Sequence, residues 1–377
     1  MNVTTEQVLS FRAKRGGLTE DRAASSAETA RRILGAQAQI ETHAYNAISL
    51  RTSGRPQDQD IKAQIFDTRE LVRTWGQRDT LHLYAMEDWP LFQIASTLWV
   101  RSGRRGGMPP ESLVAEVDDY FAREGRALTR SDLFPLIPAS YVESLIDHPG
   151  AGGSKDGAER FAATRLIWVL ANQGKIVFDD KVGREVSYLH RSLLWSGDWP
   201  EMEPNTACQE VVRRYLAAFG PATVQDAAHY LGARVSDVRP WFEAISDELI
   251  TCHHPERGEV RLLKSDVQVI KNTLDDWPLR LVPAYDTSLM SHKDKRWILP
   301  QAELEPRIWK RAAVVAAPVM VRGQIAGTWT YKKTKTRVDL QIEDFGIVKM
   351  PTQEVKSEHE SLATHLGLEA GKVSWLD

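Results

Sequence analysis

Three times along this chain, a stretch of helical periodicity gives way to two short β-prone runs about a polar turn. That recurrence limits the possible folds more than any other feature. The first pair of runs is 70–75 and 80–84, about a turn at 76–79; the second is 174–178 and 185–189, about 179–183; the third is 248–252 and 259–263, about 254–258. Each run alternates or is rich in β-branched residues, and each turn carries Gly or Asp, as two-stranded hairpins require. Ahead of the third pair, 211–219 is helical, Gly220-Pro221 interrupts, and Thr223 is placed to cap a helix over 224–231. Gly232 stops that helix and Ser236 starts another through Trp241 and Ile245. Ahead of the second pair, 128–133 offers the same entry and 161–171 an apolar helix. Helix, short helix, helix and hairpin is the winged-helix plan. On these residues alone, the competing reading is a generic α+β protein with three unrelated hairpins.

The division expected is a winged helix over 1–100, a second over 111–200, a third over 205–275, and a C-terminal domain over 278–377. Gly, Pro and Arg mark 101–110 as a linker, and 148–154 reads as a loop inside the second unit. After Asp276 the texture changes: 279–283, 317–321, 324–331 and 336–342 read as strands, so this part is expected to be β-rich. A final helix is expected over 357–366, with Glu358 and His359 on its solvated side. The fold class is therefore α+β, three tandem units followed by a β-rich domain.

Charge narrows the partners. A net charge of -3 gives no overall attraction for a polyanion, so any nucleic-acid surface must be a local concentration of Lys and Arg. Cys208 and Cys252 match no metal-ligand spacing and read as reduced thiols of a cytosolic protein. The N-terminus has no basic-then-apolar signal pattern, and no apolar run is long enough to span a bilayer.

The candidate chemistry lies in Leu34-Gly35-Ala36-Gln37-Ala38-Gln39-Ile40, which continues through Thr42, His43 and Tyr45 to Arg51. It reads as a helix that enters a loop at Gly35 and then resumes. Residues two apart do not share a helix face but do share a side of an extended backbone. If both glutamines serve one site, irregular backbone at a helix start is expected. Glutamine is neither acid nor base near neutrality, and near a helix end it is ordinarily a cap or solvated. Its use in catalysis needs chemistry that an amide can assist. A purine alkylated at N7 is already cationic, so its glycosidic bond breaks with little acid help. What remains is to hold a water and steady an oxocarbenium-like sugar, which amide dipoles do by position. Glu41 and Asp60 are the nearest acids and rank lower, because acids at helix starts are common caps. His43 and His82 read as packed or surface residues, and Arg51 as a support of the site or a phosphate contact.

Basic residues supply the candidate DNA contacts. Lys332, Lys333, Lys335 and Arg337 follow Tyr331 with no intervening acid, as either a solvated edge strand or a phosphate grip. Lys293, Lys295 and Arg296 form a second group with His292, diluted by Asp294. Residues 307–317 read as a hairpin with Lys310 and Arg311 at a basic tip, narrow enough to enter a groove, or else with 313–315 as a plain core strand. Trp89, Trp99, Trp168 and Trp241 sit at apolar helical positions and read as core. No Gly-rich phosphate loop, Ser-His-Asp order or zinc spacing is evident.

The order of units resembles the bacterial winged-helix DNA glycosylases of the AlkZ type over nearly the whole chain. So do the words Gly35-Ala36-Gln37-Ala38-Gln39, Leu71-Val72-Arg73-Thr74-Trp75 with Asp79-Thr80-Leu81-His82-Leu83, Pro283-Ala284-Tyr285-Asp286 with Ser291-His292-Lys293-Asp294, and Ala326-Gly327-Thr328-Trp329. The most specific mark is Gln–hydrophobic–Gln, matched by Gln37-Ala38-Gln39; a sister branch has Asp at its last position. The resemblance implies a C-shaped stack of winged helices, a basic concave surface for duplex DNA, and catalytic Gln37 and Gln39 at its centre. It implies a monofunctional glycosylase for N7-alkylated purines, including azinomycin-type interstrand crosslinks, acting in self-resistance or repair without cofactor or metal. No nucleophilic lysine stands at the motif, which argues against a Schiff-base lyase. A crosslinked guanine is tethered to the opposite strand and resists full flipping, so a shallow open site is expected. A monomer in the bacterial cytoplasm, associated with the nucleoid, is the expected state. The reading from another class is a winged-helix regulator that binds a preferred sequence and does no chemistry.

Overall fold

The computed structural model describes residues 1–99 and 106–376, so part of the expected linker, 101–105, lies outside the described residues. The chain opens with α1 (Thr5–Arg15), α2 (Ser26–Arg32), a short strand β1 (Ala36–Gln37), α3 (Glu41–Arg51) and α4 (Asp58–Phe66). The first hairpin, β2 (Leu71–Trp75) and β3 (Leu81–Ala85), leads to α5 (Trp89–Trp99). Then come α6 (Glu111–Glu124), β4 (Leu128–Thr129), α7 (Ala139–Leu145), α8 (Lys155–Asn172) and the second hairpin, β5 (Ile176–Val182) and β6 (Glu185–His190). The third set is α9 (Pro204–Phe219), α10 (Val224–Leu231), α11 (Val235–Ala244), β7 (Leu249–His254), β8 (Gly258–Leu263) and α12 (Val267–Lys271). The C-terminal part holds β9 (Arg280–Leu281), α13 (Thr287–Met290), α14 (Glu305–Ile308), β10 (Pro318–Val321), β11 (Gln324–Lys333), β12 (Arg337–Asp344), α15 (Thr352–His365) and β13 (Glu369–Leu376).

Each expected hairpin is present as an antiparallel pair, with Val72 opposite Tyr84, Phe178 opposite Tyr188, and Cys252 opposite Val260. Local chemistry explains one of the helices ahead of the last of them, α10. Thr223 and Asp226 form a reciprocal capping box at the start of α10, and Gly232 ends it at φ +73°. The hairpins differ in company. The first two join one six-stranded sheet in the order β1-β3-β2-β5-β6-β4, through the pairing of Arg73 with Phe178. The third stands as its own two-stranded sheet. One apolar core runs from the first unit into the third, carrying Tyr84, Trp89 and Phe92 together with Tyr215, Tyr230 and Trp241. Trp89, Trp99, Trp168 and Trp241 are all buried, as their helical positions suggested. Cys208 and Cys252 are buried and unpaired with each other. No helix among the described residues is long and apolar enough to cross a membrane.

The C-terminal strands form a five-stranded sheet in the order β13-β12-β11-β10-β9. Two expectations are corrected here. Glu358 and His359 are not on a solvated side; both are buried where α15 packs on the sheet. Glu358 accepts from Arg280 at 2.9 Å, and His359 Nε2 bonds the Val338 carbonyl at 2.8 Å. A helix face can be buried and polar when every charge is paired. The second correction is β13, absent from the sequence reading, which lies parallel to β12 at the sheet edge with a mostly exposed surface. Arg280 also donates to the carbonyls of Leu18 and Thr19, tying this sheet to the first helices.

Candidate active site

Local geometry builds the glutamine motif. Leu34 at φ +55° and Gly35 at φ +85° turn the chain out of α2 into β1. Glycine is required at 35, because a Cβ there would fall 2.6 Å from the Tyr84 ring. The Leu34 carbonyl takes two donors, Gln77 Nε2 at 2.8 Å and the Tyr230 hydroxyl at 3.2 Å, which hold the turn. From there the backbone is extended. Ala36 pairs with Leu83 and Gln37 with His82, and the Ala38 amide donates to Leu81 O at 2.6 Å. Arg73 fixes the other end by donating to Ala38 O at 3.0 Å and pairing with Glu41.

Burial along this strand alternates. Ala36 and Ala38 are fully buried, Gln37 is half-buried and Gln39 is exposed. The two amides therefore share one side, as an extended backbone dictates. β1 is the edge strand of its sheet; Thr74 and His82, which share the Gln37 face, are buried, and Gln39 is where that side reaches solvent. Gln37 Oε1 accepts a hydrogen bond from Arg78 Nη2 at 2.8 Å. The Gln39 side chain makes no hydrogen bond among the described residues. The acids are engaged elsewhere: Glu41 with Arg73, and Asp60 with the Gln57 amide at 2.8 Å as a cap of α4. The C-terminal part closes one flank, where Tyr285 lies 6.2 Å from the His43 ring and Thr287 reaches Gly35 O at 3.4 Å. Neither glutamine lines the cavity of about 810 Å³ between α1, α2 and α9, whose walls include Arg32, Arg214 and Trp277.

His82 lies beside Gln37 as its cross-strand partner, with no exposed surface. Its Nδ1 donates to Thr80 O at 3.0 Å, since a carbonyl can only accept, and Nε2 has no partner among the described residues. Burial pushes its pKa from 6.5 down to about 3, and the Arg78 charge adds to that. His82 is thus a neutral packed residue and not a proton donor. His43 is also pushed down, by burial alone. The linkage has a definite sign. A folded pKa below the unfolded value favours folding above the unfolded pKa, and that advantage is lost as pH falls toward the folded pKa. Wild-type stability relative to His82→Gln should therefore fall by ~1.4 kcal/mol per pH unit between about pH 6 and about pH 4, read by urea denaturation. Parallel stability curves for the two proteins would contradict a neutral buried His82.

The structure divides the expected DNA contacts. Arg51 is removed from the set: it is 1% exposed and makes a two-pronged pair with Asp286 at 2.7 and 2.9 Å. It also donates to Gly16 O and Ala47 O. With four of its five N–H donors engaged and the side chain sealed from solvent, this guanidinium is out of reach of a phosphate. Lys295 is corrected too. Its ammonium turns inward to Leu289 O at 2.9 Å and His292 O at 2.6 Å, over the Trp309 ring, and burial lowers its pKa to about 8. Lys293 and Arg296 remain exposed, with Arg296 held by Asp294 at 2.7 Å.

Lys310 and Arg311 are exposed at the tip of a real hairpin, in which Trp309 bridges Val315 and Lys310 N donates to Val314 O at 2.8 Å. Val314 is 43% exposed, so its return arm is not a plain core strand. Lys332, Lys333, Lys335 and Arg337 are exposed at the β11–β12 turn. β12 is covered by β13, so this is not an edge strand. The 309–315 hairpin connects to the motif: Trp309 stacks on Lys295, Lys295 neighbours His229 at 3.4 Å, and Arg78 links the carbonyl of Tyr230 to Gln37. The 332–337 turn instead adjoins α4, where Tyr331 feels the Asp58 carboxylate. The residue sequence reasoning missed is Arg78, which stood only as part of a polar turn; nothing local announces that it reaches Gln37.

Comparison with known proteins follows the same lines. A profile of the family described as DNA glycosylase AlkZ-like matches residues 30–365. An interstrand DNA cross-link repair glycosylase of Streptomyces sahachiroi is 25% identical over 343 residues, spanning 87% of this chain and 88% of its own length. The solved structure of Streptomyces sahachiroi DNA glycosylase AlkZ superposes with a TM-score of 0.81 at 21% identity, covering 100% of both chains. That superposition shows a shared fold.

Proposed function

The chain belongs to the DNA glycosylase AlkZ-like family, and from that premise we propose that it hydrolyses the N-glycosidic bond of N7-alkylated purines in duplex DNA. Bulky adducts and interstrand crosslinks are included, and no lyase step follows. The observation that carries this reading is the pair of carboxamides on one side of the chain, Gln37 half-buried and Gln39 exposed, with Ala36 and Ala38 buried behind them. No lysine amine stands in the motif to form a Schiff base. The departing base is already a cation, so positioned amide dipoles suffice to hold the water and steady the sugar. Gln37 and Gln39 take those roles as catalytic residues. The exposure of Gln39 suits a lesion that cannot be swallowed whole because it is tied to the other strand.

The three helix-and-hairpin sets read as winged helices with boundaries near 1–100, 111–200 and 205–275, curved into a C around the DNA. The protein acts as a monomer in the bacterial cytoplasm, in repair or self-resistance. Lys293, Arg296, Lys310, Arg311, Lys332, Lys333, Lys335 and Arg337 are its phosphate contacts, all exposed. A purely sequence-reading regulator is disfavoured by the family assignment.

The test is incubation with a duplex carrying N7-methylguanine. Release of the free base with an unbroken backbone supports the reading, and binding without release opposes it. A companion prediction concerns the hairpin tip. Replacing both Lys310 and Arg311 by Ala should flatten the dependence of log Kd on log salt by roughly 1.8, about 0.9 for each phosphate no longer neutralised. Fluorescence anisotropy across a salt series reads this, and an unchanged slope removes the tip from the interface.

A further inference from the structure

We infer that Arg78 is a positioning residue for the proposed reaction: it holds Gln37 by its carbonyl oxygen and thereby presents the amide N–H2 to the substrate. The inference rests on the role given to the glutamines above and deepens it. A glutamine amide can face a ligand with either end, and the two ends differ little in shape. Here the ambiguity is resolved by chemistry. A guanidinium has only donors, so the Gln37 atom 2.8 Å from Arg78 Nη2 is the oxygen. The nitrogen then points away from Arg78.

Arg78 is itself held rigidly. Its backbone is left-handed at φ +58°, and its other arm donates to Tyr230 O at 2.6 Å. The guanidinium lies 5.5 Å over the Tyr230 ring. Gly232 packs so closely that a Cβ there would sit 2.7 Å from the Arg78 Cα. Tyr230 is in the last turn of α10, where carbonyls favour a cation. The orientation of Gln37 is thus set by a helix from the third unit.

This divides the pair. A cation beside Oε1 draws electron density from it, making Gln37 a better donor and a poor partner for a developing sugar cation. Gln37 donates to acceptors, namely the water oxygen or the carbonyl edge of the leaving purine. The unengaged carbonyl of Gln39 is left to face the cation.

The discriminating variant is Gln37→Glu, which keeps an acceptor toward Arg78 but has no N–H2. In single-turnover release of N7-methylguanine from a duplex oligonucleotide, Gln37→Glu should fall as far as Gln37→Ala. Arg78→Met should lower the rate by roughly 10- to 100-fold, the worth of a hydrogen bond to a charged group, with DNA affinity within about twofold. In the Gln37→Ala background the same change should cost less than about twofold, because the partner it positions is gone. A Gln37→Glu rate near wild type, with Gln37→Ala slow, overturns the orientation of Gln37 and leaves the proposed function standing. An equal loss from Arg78→Met in both backgrounds makes Arg78 merely structural and overturns the inference. A native rate in Gln37→Ala sinks the proposed function and this inference together.

Discussion

Gln37→Ala and Gln39→Ala should each lower single-turnover release of N7-methylguanine by about 100- to 1000-fold, the usual cost of losing one preorganised dipole at a reacting centre. Both proteins should remain folded. Gln39 is exposed, and Gln37 is half-buried with a single side-chain bond, to Arg78. Affinity for undamaged duplex should change little, because phosphates dominate that binding. The loss thus belongs in the rate and not in the binding, the signature of groups that act on the transition state. If folded variants released the base at the native rate, the glutamines would not be catalytic.

The second large effect is on stability. Arg51→Ala should destabilise the protein by about 3–5 kcal/mol, because the Asp286 carboxylate would be left buried without its partner. Both side chains of this pair are essentially sealed, at 1% and 0% exposure, so solvent screening does not soften the loss. Asp286 also accepts from the Ser288 amide and hydroxyl, which holds it where Arg51 left it. Urea denaturation measures the change. Replacing Arg51 and Asp286 together by apolar residues should recover part of it, since no isolated charge then remains. A stable Arg51→Ala protein with weakened DNA binding would return Arg51 to the DNA interface.

These outcomes also show what a sequence carries. The three hairpins were legible because alternation and a Gly or Asp turn are local signals. The α10 boundaries were legible because Thr223 and Gly232 act on their own neighbours. Non-helical backbone at Gln37 and Gln39 was expected only on the premise that both amides serve one site, and the strand at Ala36–Gln37 was not foreseen. Partnerships across the chain were not legible. Nothing near Arg51 names Asp286, 235 residues away, and nothing near Arg73 predicts that β2 pairs with β5. The inward turn of Lys295 and the burial of Glu358 and His359 were missed for the same reason. A charged residue reads as solvated until a distant carbonyl or counter-charge is seen beside it. β13 carries only a short alternation, Lys372-Val373-Ser374-Trp375, on a mostly exposed strand, too brief a signal to mark it.

The central claim is that a neutral carboxamide pair works because the leaving base already bears a positive charge. Matched duplexes test it most directly, one with N7-methylguanine and one with the neutral base uracil at the same position. The account predicts that N7-methylguanine is freed, leaving an abasic site in an unbroken strand, while uracil stays attached. Release of uracil at a comparable rate would contradict it.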